Sequence, residues 1–538
     1  MYSLKILAFF FILLNGAYFH SQTSPFNISI EPYKIEGLGG IQSYAFGQHD
    51  GKWLIVGGRL DGLHRRQPFA SFDLAGHNNL IFIVDPVNRQ KWSAPLTTLP
   101  RSIQEQLQAT NMEFYQQNNY LYLIGGYGYS ETLGDHTTFA NLSAIDVPAV
   151  MEAIINGRDF ATYIRQIKDS LFQVTGGRLE KIEDYFHLVG GQKFMGRYNP
   201  MGPTHGPGFI QEYTNQIRKF KLIDNGTIIT INHLPGFTDA QNLHRRDYNL
   251  VPQMMPDGKF GLTAFSGVFQ LQSDLPYLNC VNIDANSYAV NNNFTQYYNH
   301  YHCANIPIFS ASKNEMHTIF FGGIAQYYDS SGILVQDNNV PFVKTIARVT
   351  RTSDGSMAEY KLPVELPELL GAGSEFIPLE HLSRYENGVL KLDELPDGTS
   401  HIGYIFGGIN STAANIFWVN DGSQSVASSQ LLKVNLIKNP NTAIDELNKP
   451  SNGSLKLMVY PNPSNGILNL QFQIIKNTDI HISLWTLDGL KIDEFKSMNV
   501  EIGQHYVEKE YPDLMKQKAF LLKFETSYEK DARVILIE

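Results

Sequence analysis

Leu-Tyr-Leu-Ile-Gly-Gly-Tyr-Gly-Tyr, from Leu121 to Tyr129, is the stretch whose reading decides the fold. Four apolar residues run straight into a glycine pair, which reads as a strand buried on both faces and ended abruptly. The glycines permit positive φ and close approach of neighbouring backbone. The pattern recurs at Leu54-Ile55-Val56-Gly57-Gly58, Phe186-His187-Leu188-Val189-Gly190-Gly191, Ile319-Phe320-Phe321-Gly322-Gly323 and Tyr404-Ile405-Phe406-Gly407-Gly408. A worn copy, Leu262-Thr263-Ala264-Phe265-Ser266-Gly267, fills the one long gap and makes six units. From Gly57 to Gly407 is 350 residues over five intervals, a mean spacing of 70.

At this point the chain resembles the kelch family of β-propellers. The first unit carries the fullest match: Gly57-Gly58 is followed by Ile81-Phe82-Ile83-Val84-Asp85-Pro86, then Trp92 and the exit Leu99-Pro100. The other units keep the glycine pair without the tryptophan. The kelch period is about 50, so about 20 further residues per unit are expected in loops. The resemblance implies an all-β chain whose residues 22–437 form a six-bladed kelch-like β-propeller of four-stranded antiparallel blades. The last unit shows one good strand after its glycines, Gln430 to Ile437, so the missing outer strand is expected from Asn27 to Ile35. Propellers host enzymes and binding proteins alike, and the fold leaves the function open.

Residues 1–21 read as a secretory signal peptide, with Lys5 ahead of the apolar run Ile6 to Leu14 and cleavage near Ser21-Gln22 or at Ala17. No later run of 18 apolar residues occurs, so no transmembrane segment is expected in the mature protein. A net charge of −10 argues against nucleic acid or an anionic membrane as the main partner. The two cysteines, Cys280 and Cys303, fall in neighbouring units; a disulfide and a pair of buried thiols both fit. The insertion Val147 to Lys168 looks partly helical, with Val150, Ile154, Ile155 and Ile164 as apolar contacts.

Residues 438–454 lack an apolar pattern and read as a linker. From 455 to 538 short strands alternate with turns, at Leu457 to Tyr460, Gly466 to Phe472, Ile480 to Thr486, Lys491 to Phe495, Phe520 to Phe524 and Arg533 to Ile537, as in a small Ig-like β-sandwich. Val459-Tyr460-Pro461-Asn462-Pro463-Ser464-Asn465-Gly466 and Ile482-Ser483-Leu484-Trp485-Thr486-Leu487-Asp488-Gly489 resemble the type A C-terminal sorting domain of type IX secretion. The chain departs from that pattern at Lys516-Gln517-Lys518-Ala519, where the family has a glycine, and ends on Glu538 rather than lysine. The resemblance implies the type IX machinery as a partner, and a protein secreted or held on the outer cell surface.

Insertions after the glycine pairs should gather on one face, where repeat proteins commonly bind. That face collects the candidate ligand-binding residues: His64, Arg65 and Arg66 after the first pair, Arg197, Tyr198 and His205 after the third, His244, Arg245 and Arg246 in a second Leu-His-Arg-Arg, and Tyr298, His300 and His302 before the fifth unit. His300 and His302 are spaced to share one face of a strand. Arginine forks bind carboxylates and tyrosines offer flat faces to sugar rings, so a basic, aromatic mouth suits an acidic glycan. In the competing reading the arginines pair with loop aspartates such as Asp61 and Asp247 and hold the loops.

Kelch propellers include copper-radical oxidases resembling galactose oxidase. Tyr301-His302-Cys303 has those residue types without the family's spacing, and no metal or cofactor is assigned. They also include a six-bladed sugar epimerase, which keeps a lyase or isomerase open. No catalytic acid or base stands out, and there is no nucleophile elbow, phosphate loop, zinc-protease helix or paired CxxC. The expected function is binding of a glycan or surface partner through long loops, with a carbohydrate-active enzyme as the alternative.

Overall fold

The computed structural model describes residues 24–65, 71–199, 208–330, 333–438, 453–464, 466–486, 489–511 and 519–537. The signal-peptide expectation, most of the linker, Arg66 and His205 lie outside these residues. The chain is all-β and divides into two compact units, Ile28–Ile437 and one built on the residues from Lys438 onward. No helix among the described residues is long and apolar enough to cross a membrane.

In the larger unit each glycine-ended strand is the second of a four-strand antiparallel set. The first sheet is Ala45–His49, Lys52–Val56, Leu80–Asp85 and Gln90–Pro95; the second is Glu113–Gln117, Tyr120–Ile124, Asn141–Asp146 and Ile164–Lys168. The third is Arg178–Ile182, Tyr185–Val189, Gln216–Asp224 and Ile229–Thr238; the fourth is Asn249–Met254, Phe260–Phe265, Cys280–Ile283 and Tyr288–Asn291. The fifth, Asn305–Ser310, Glu315–Phe321, Thr345–Arg351 and Met357–Glu365, gains the short parallel strand Leu390–Lys391. The sixth takes Ser374–Pro378, Gly398–Gly407 and Leu431–Lys438 from one end of the unit and Phe26–Tyr33 from the other.

The glycine pairs do the work their conformation allows. Both members take positive φ in all five intact copies, and in the worn copy Ser266 adopts φ 49° beside Gly267. The second residue of each pair then donates its amide to the loop that enters the next sheet: Gly58 to Ala109, Gly126 to Val174, Gly191 to Arg245, Gly267 to His300, Gly323 to Leu370 and Gly408 to Ile41. The last bond runs back to a residue ahead of the first sheet.

A second set of backbone bonds returns to its own start. Asn111 donates to Ser43, Gly176 to Asn111, Asp247 to Gly176, His302 to Asp247, Gly373 to His302 and Ser43 to Gly373, at 2.7 to 3.3 Å. One residue ahead of each sheet's first strand thus joins a closed cycle of six amides, and all but His302 hold positive φ.

Apolar side chains from both faces of the strands fill the spaces between neighbouring sheets. Tyr122, Ile124, Leu179 and Phe186 join the second to the third, Ile217, Leu250 and Val281 the third to the fourth, and Ile377 and Phe406 of the sixth meet Trp53 and Phe82 of the first. Each fully buried side chain of this kind contributes roughly 1.5–3 kcal/mol. The helix Val147–Ile155, capped by Asp146 accepting from the Ala149 amide, buries Val150 and Ile154 in the cluster of the first two sheets. Cys280 and Cys303 share a cluster with Phe265 and Phe320, and both are free buried thiols, so the disulfide alternative is set aside.

The smaller unit packs Met458–Tyr460, Ile467–Ile474 and Gly503–Glu510 in one sheet, and Lys491–Val500, Thr478–Thr486, Ala519–Thr526 and Lys530–Leu536 in another. Leu470, Phe472, Leu484 and Phe524 are among its core. Gly503–Glu510 was not anticipated: no residue in it is buried, so it leaves no clear alternation of apolar and polar residues.

Candidate functional site

Among the described residues the insertions between second and third strands of the second, third, fifth and sixth sheets are hairpins, while those of the first and fourth carry none. Those of the second and third sheets, Tyr127–Ser130 with Asp135–Thr138 and Gln192–Met195 with Ile210–Tyr213, merge into one four-stranded sheet. Thr138 Oγ1 seals the seam, accepting from the Phe194 amide at 2.8 Å and donating to its carbonyl at 2.9 Å. With Ile409, Phe417 and Trp418 from the insertion of the sixth sheet, they wall a cavity of about 720 Å³. Five members of the amide cycle line its floor, and Ser43 completes them.

Of the candidate residues, His64, Tyr198, His244, Arg246 and His302 line this cavity. His244 stacks on Tyr213, ring centres 3.7 Å apart, and its Nδ1 lies 2.8 Å from Asn215 Oδ1. Arg246 donates from Nε to Tyr213 Oη at 3.0 Å, pairs with Asp247 and lies over Phe269. His302 places Nε2 2.8 Å from Glu375 Oε1, and Arg178 stands 3.6 Å from the same oxygen.

Five of the other candidates do not line this cavity. Arg245 turns into the core, donating to the carbonyls of Asn242, Ser266 and Asn279, with its guanidinium 4.0 Å from the centre of the Tyr277 ring. His300 is spent on backbone, with Nε2 2.9 Å from Gln296 O while Nδ1 accepts from the Gln326 amide at 3.0 Å. It therefore does not share a face with His302, because the two sit in a loop rather than a strand. Tyr298 stands outside the cavity, its amide facing Glu359. Arg65 and Arg197 both pair with Asp73 and hold the wall without lining it.

The described arginines around the mouth are paired with aspartates, as the competing reading has it. Arg59 is matched by Asp61, Arg65 and Arg197 share Asp73, and Arg246 is matched by Asp247. The arginines hold loops, and phenylalanine, tyrosine and tryptophan side chains share the cavity lining with glutamine, asparagine, serine and threonine side chains.

Burial dominates the electrostatics. It pushes His64 down to about 4, helped by the charge of Arg246. It lowers His302 too, against the opposing pull of Glu375. For Arg246 burial acts to lower the pKa, but Tyr213, Asp247 and Tyr301 outweigh it and hold the guanidinium charged. Burial raises Tyr301 and keeps its hydroxyl protonated.

Sequence reasoning missed Tyr213, Glu375 and Trp418, gave Asp247 only as a partner for an arginine, and left Arg59 out of the candidates. Arg59 directly follows the first glycine pair, a position that could have flagged it. Glu375 lies one strand beyond the floor, and nothing local marks it. Arg59 Nη1 and His64 Nδ1 are buried without a hydrogen-bond partner among the described residues. No group of three or more metal-binding side chains occurs among those residues.

No family model matches the chain, and no curated protein matches it. Among solved structures, the structure of YjhT matches at 12% identity with TM-score 0.41, covering 73% of this chain and 94% of that one. RAG in complex with one melted and one unmelted RSS matches at 11% identity and TM-score 0.35, over 75% and 99% of the two chains. A glycoside hydrolase family 43 arabinoxylan arabinofuranohydrolase from Bacillus subtilis matches at 8% identity and TM-score 0.24, over 93% and 96%. The scores are too low for these likenesses to carry an argument about this chain.

Proposed function

We propose that the chain is a secreted or cell-surface protein whose six sheets form a kelch-like β-propeller, exported by type IX secretion through its C-terminal sandwich, and that its cavity binds a glycan. Two regularities support the propeller: the six glycine amides each bonded to the next unit, and the amide cycle that returns to Ser43. The sorting role rests on the resemblance of residues 455–538.

The observation that carries the binding reading is the cavity itself. At about 720 Å³ it falls in the usual range for small-ligand sites, and it is aromatic with a few convergent polar groups. Tyr198, Tyr213 and Tyr301 offer flat faces with hydroxyls at their edges, which suits a sugar ring. A glycan array probed with the purified chain should give a defined set of saccharides, lost in Tyr198→Ala and His244→Ala. Binding to none, or binding unchanged in both variants, overturns the reading.

One observation favours a second reading, a carbohydrate-active lyase or isomerase. His302 faces the cavity with a carboxylate 2.8 Å behind it, an arrangement able to move protons. Turnover of a bound saccharide, lost in His302→Gln while binding persists, would establish it. The copper-radical reading finds less support, since Tyr298 and His300 stand away from the cavity and Cys303 lies in the core.

A further inference from the structure

We infer that a second, smaller cavity of the larger unit binds a zwitterion of amino-acid or dipeptide size, its ammonium group held by Glu180 and its carboxylate by Arg384. The inference is independent of the glycan reading, which concerns the other cavity.

The first ground is the place of this cavity. It measures about 200 Å³ and is lined from the first strand of every sheet, by Phe46, Phe114, Glu180, Leu250, Asn305 and Glu375 in turn. These residues follow the members of the amide cycle along the chain, which puts the smaller cavity beyond the cycle. Between the two cavities is a space of only about 10 Å³, which Asn111 and His302 share with Arg178 and Glu375. A single water needs about 10–15 Å³, so the cavities hold separate ligands.

The second ground is the connection that reaches it. The first and second strands of the other sheets are joined by short turns such as Asp50-Gly51 and Glu183-Asp184, the longest being Met255 to Lys259. In the sixth sheet residues 379–397 stand between them. Within this segment Leu390 and Lys391 pair with Ile308 and Phe309 of the fifth sheet, and Leu382, Arg384 and Leu390 come to line the cavity. An elaborated loop on a regular scaffold is a usual carrier of binding residues.

The third ground is charge. Four charged side chains line the cavity. Arg178 and Glu375 stand 3.6 Å apart, and Glu375 also meets His302, so these two are matched. Glu180 makes no hydrogen bond or ion pair among the described residues. Burial pushes its carboxyl up to about 8, against the pull of Arg178, which it feels from beyond pairing distance. Arg384 has no carboxylate partner among those residues either, and Nη2 donates only a long bond to the Glu380 carbonyl at 3.4 Å. Apart from these four and Asn305, the lining side chains are apolar. An unmatched carboxyl and an unmatched guanidinium at one apolar cavity are unfavourable. One ligand with both opposite charges and hydrocarbon between them relieves both.

The test is calorimetric titration of the full chain with leucine and with glycyl-leucine, each also as its N-acetyl and its C-amide derivative. At least one free form should bind, and blocking either end should lower its affinity about tenfold or more. In Glu180→Gln the N-acetyl form should bind as well as the free one while the amide stays weak. In Arg384→Ala the amide should bind as well as the free form while the N-acetyl form stays weak. A misfolded variant would lose both preferences and the binding with them, so this split separates recognition from stability. If only one end matters, the ligand is a simple amine or acid and the zwitterion assignment falls. Blocked forms binding as well as free ones, preferences unchanged in both variants, or no binding of either free form overturns the inference.

Discussion

His302 Nε2 stands 2.8 Å from Glu375 Oε1, and the amide of the same histidine is a member of the cycle that floors the cavity. Glu375 is 8% exposed and lies within reach of Arg178, so the carboxylate compensates charge where water cannot. Glu375→Gln weakens the compensation of half-buried Arg178, which Glu180 and Glu113 share, and should cost about 1–3 kcal/mol in urea unfolding. In a Glu375→Gln/His302→Gln cycle the two losses should be strongly non-additive; additive losses would show that the pair does not interact.

Gly125 separates backbone strain from close contact. Its φ is +63°, and a Cβ there would lie 1.9 Å from Val174 O, the carbonyl that accepts the Gly126 amide. Gly157 has the same φ with open space around it. Gly157→Ala should cost about 1 kcal/mol from φ alone, and Gly125→Ala at least about 3 kcal/mol because the bond to the next sheet must break. Equal midpoints in denaturant would show that the inter-sheet bond carries no stability.

Acid should unfold the larger unit early. Burial holds His77, His187 and His300 at about 4 and His317 at about 3. The unfolded chain binds these protons near pH 6.5, so stability is full above that value and is lost as pH falls toward the folded values, by about 1.4 kcal/mol per unit for each histidine. Urea midpoints should fall steadily between these limits, and His317→Gln should flatten the slope. A midpoint independent of pH over this window would contradict the buried neutral state.

Cys280 and Cys303 should ignore thiol reagents in the native protein. Burial pushes both thiols up to about 12, and neither pairs with the other. A chromogenic disulfide reagent should find no reactive thiol in buffer and two in denaturant without reductant. None in denaturant would mean a disulfide, and reaction in buffer would mean an accessible thiol.

The all-β architecture was legible because its signal is steric. A pair of consecutive left-handed residues ending a doubly buried strand leaves glycine as the easy choice, and even the worn copy keeps Gly267 behind Ser266. The site was legible only to the level of a face. The two Leu-His-Arg-Arg copies look equivalent in sequence, yet Arg245 is drawn into the core by three carbonyls while its counterpart Arg65 pairs with Asp73. Residue type is written in the chain; the direction a loop side chain takes depends on carbonyls and aromatics supplied from distant segments. The pairing of Arg197 with Asp73, across 124 positions, follows the same rule, whereas Arg59 with Asp61 and Arg246 with Asp247 are local pairs.

The sixth sheet is assembled from both ends of its unit, with Phe26–Tyr33 beside Leu431–Lys438. That neighbour relation spans some four hundred residues, so it forms only after nearly the whole unit has emerged from a ribosome. Until then Phe26–Tyr33 is a strand without a neighbour and the amide cycle lacks its closing link between Gly373 and Ser43. Contacts this distant along the chain carry a high loop-closure cost, so this seam is expected to be among the last parts of the unit to form.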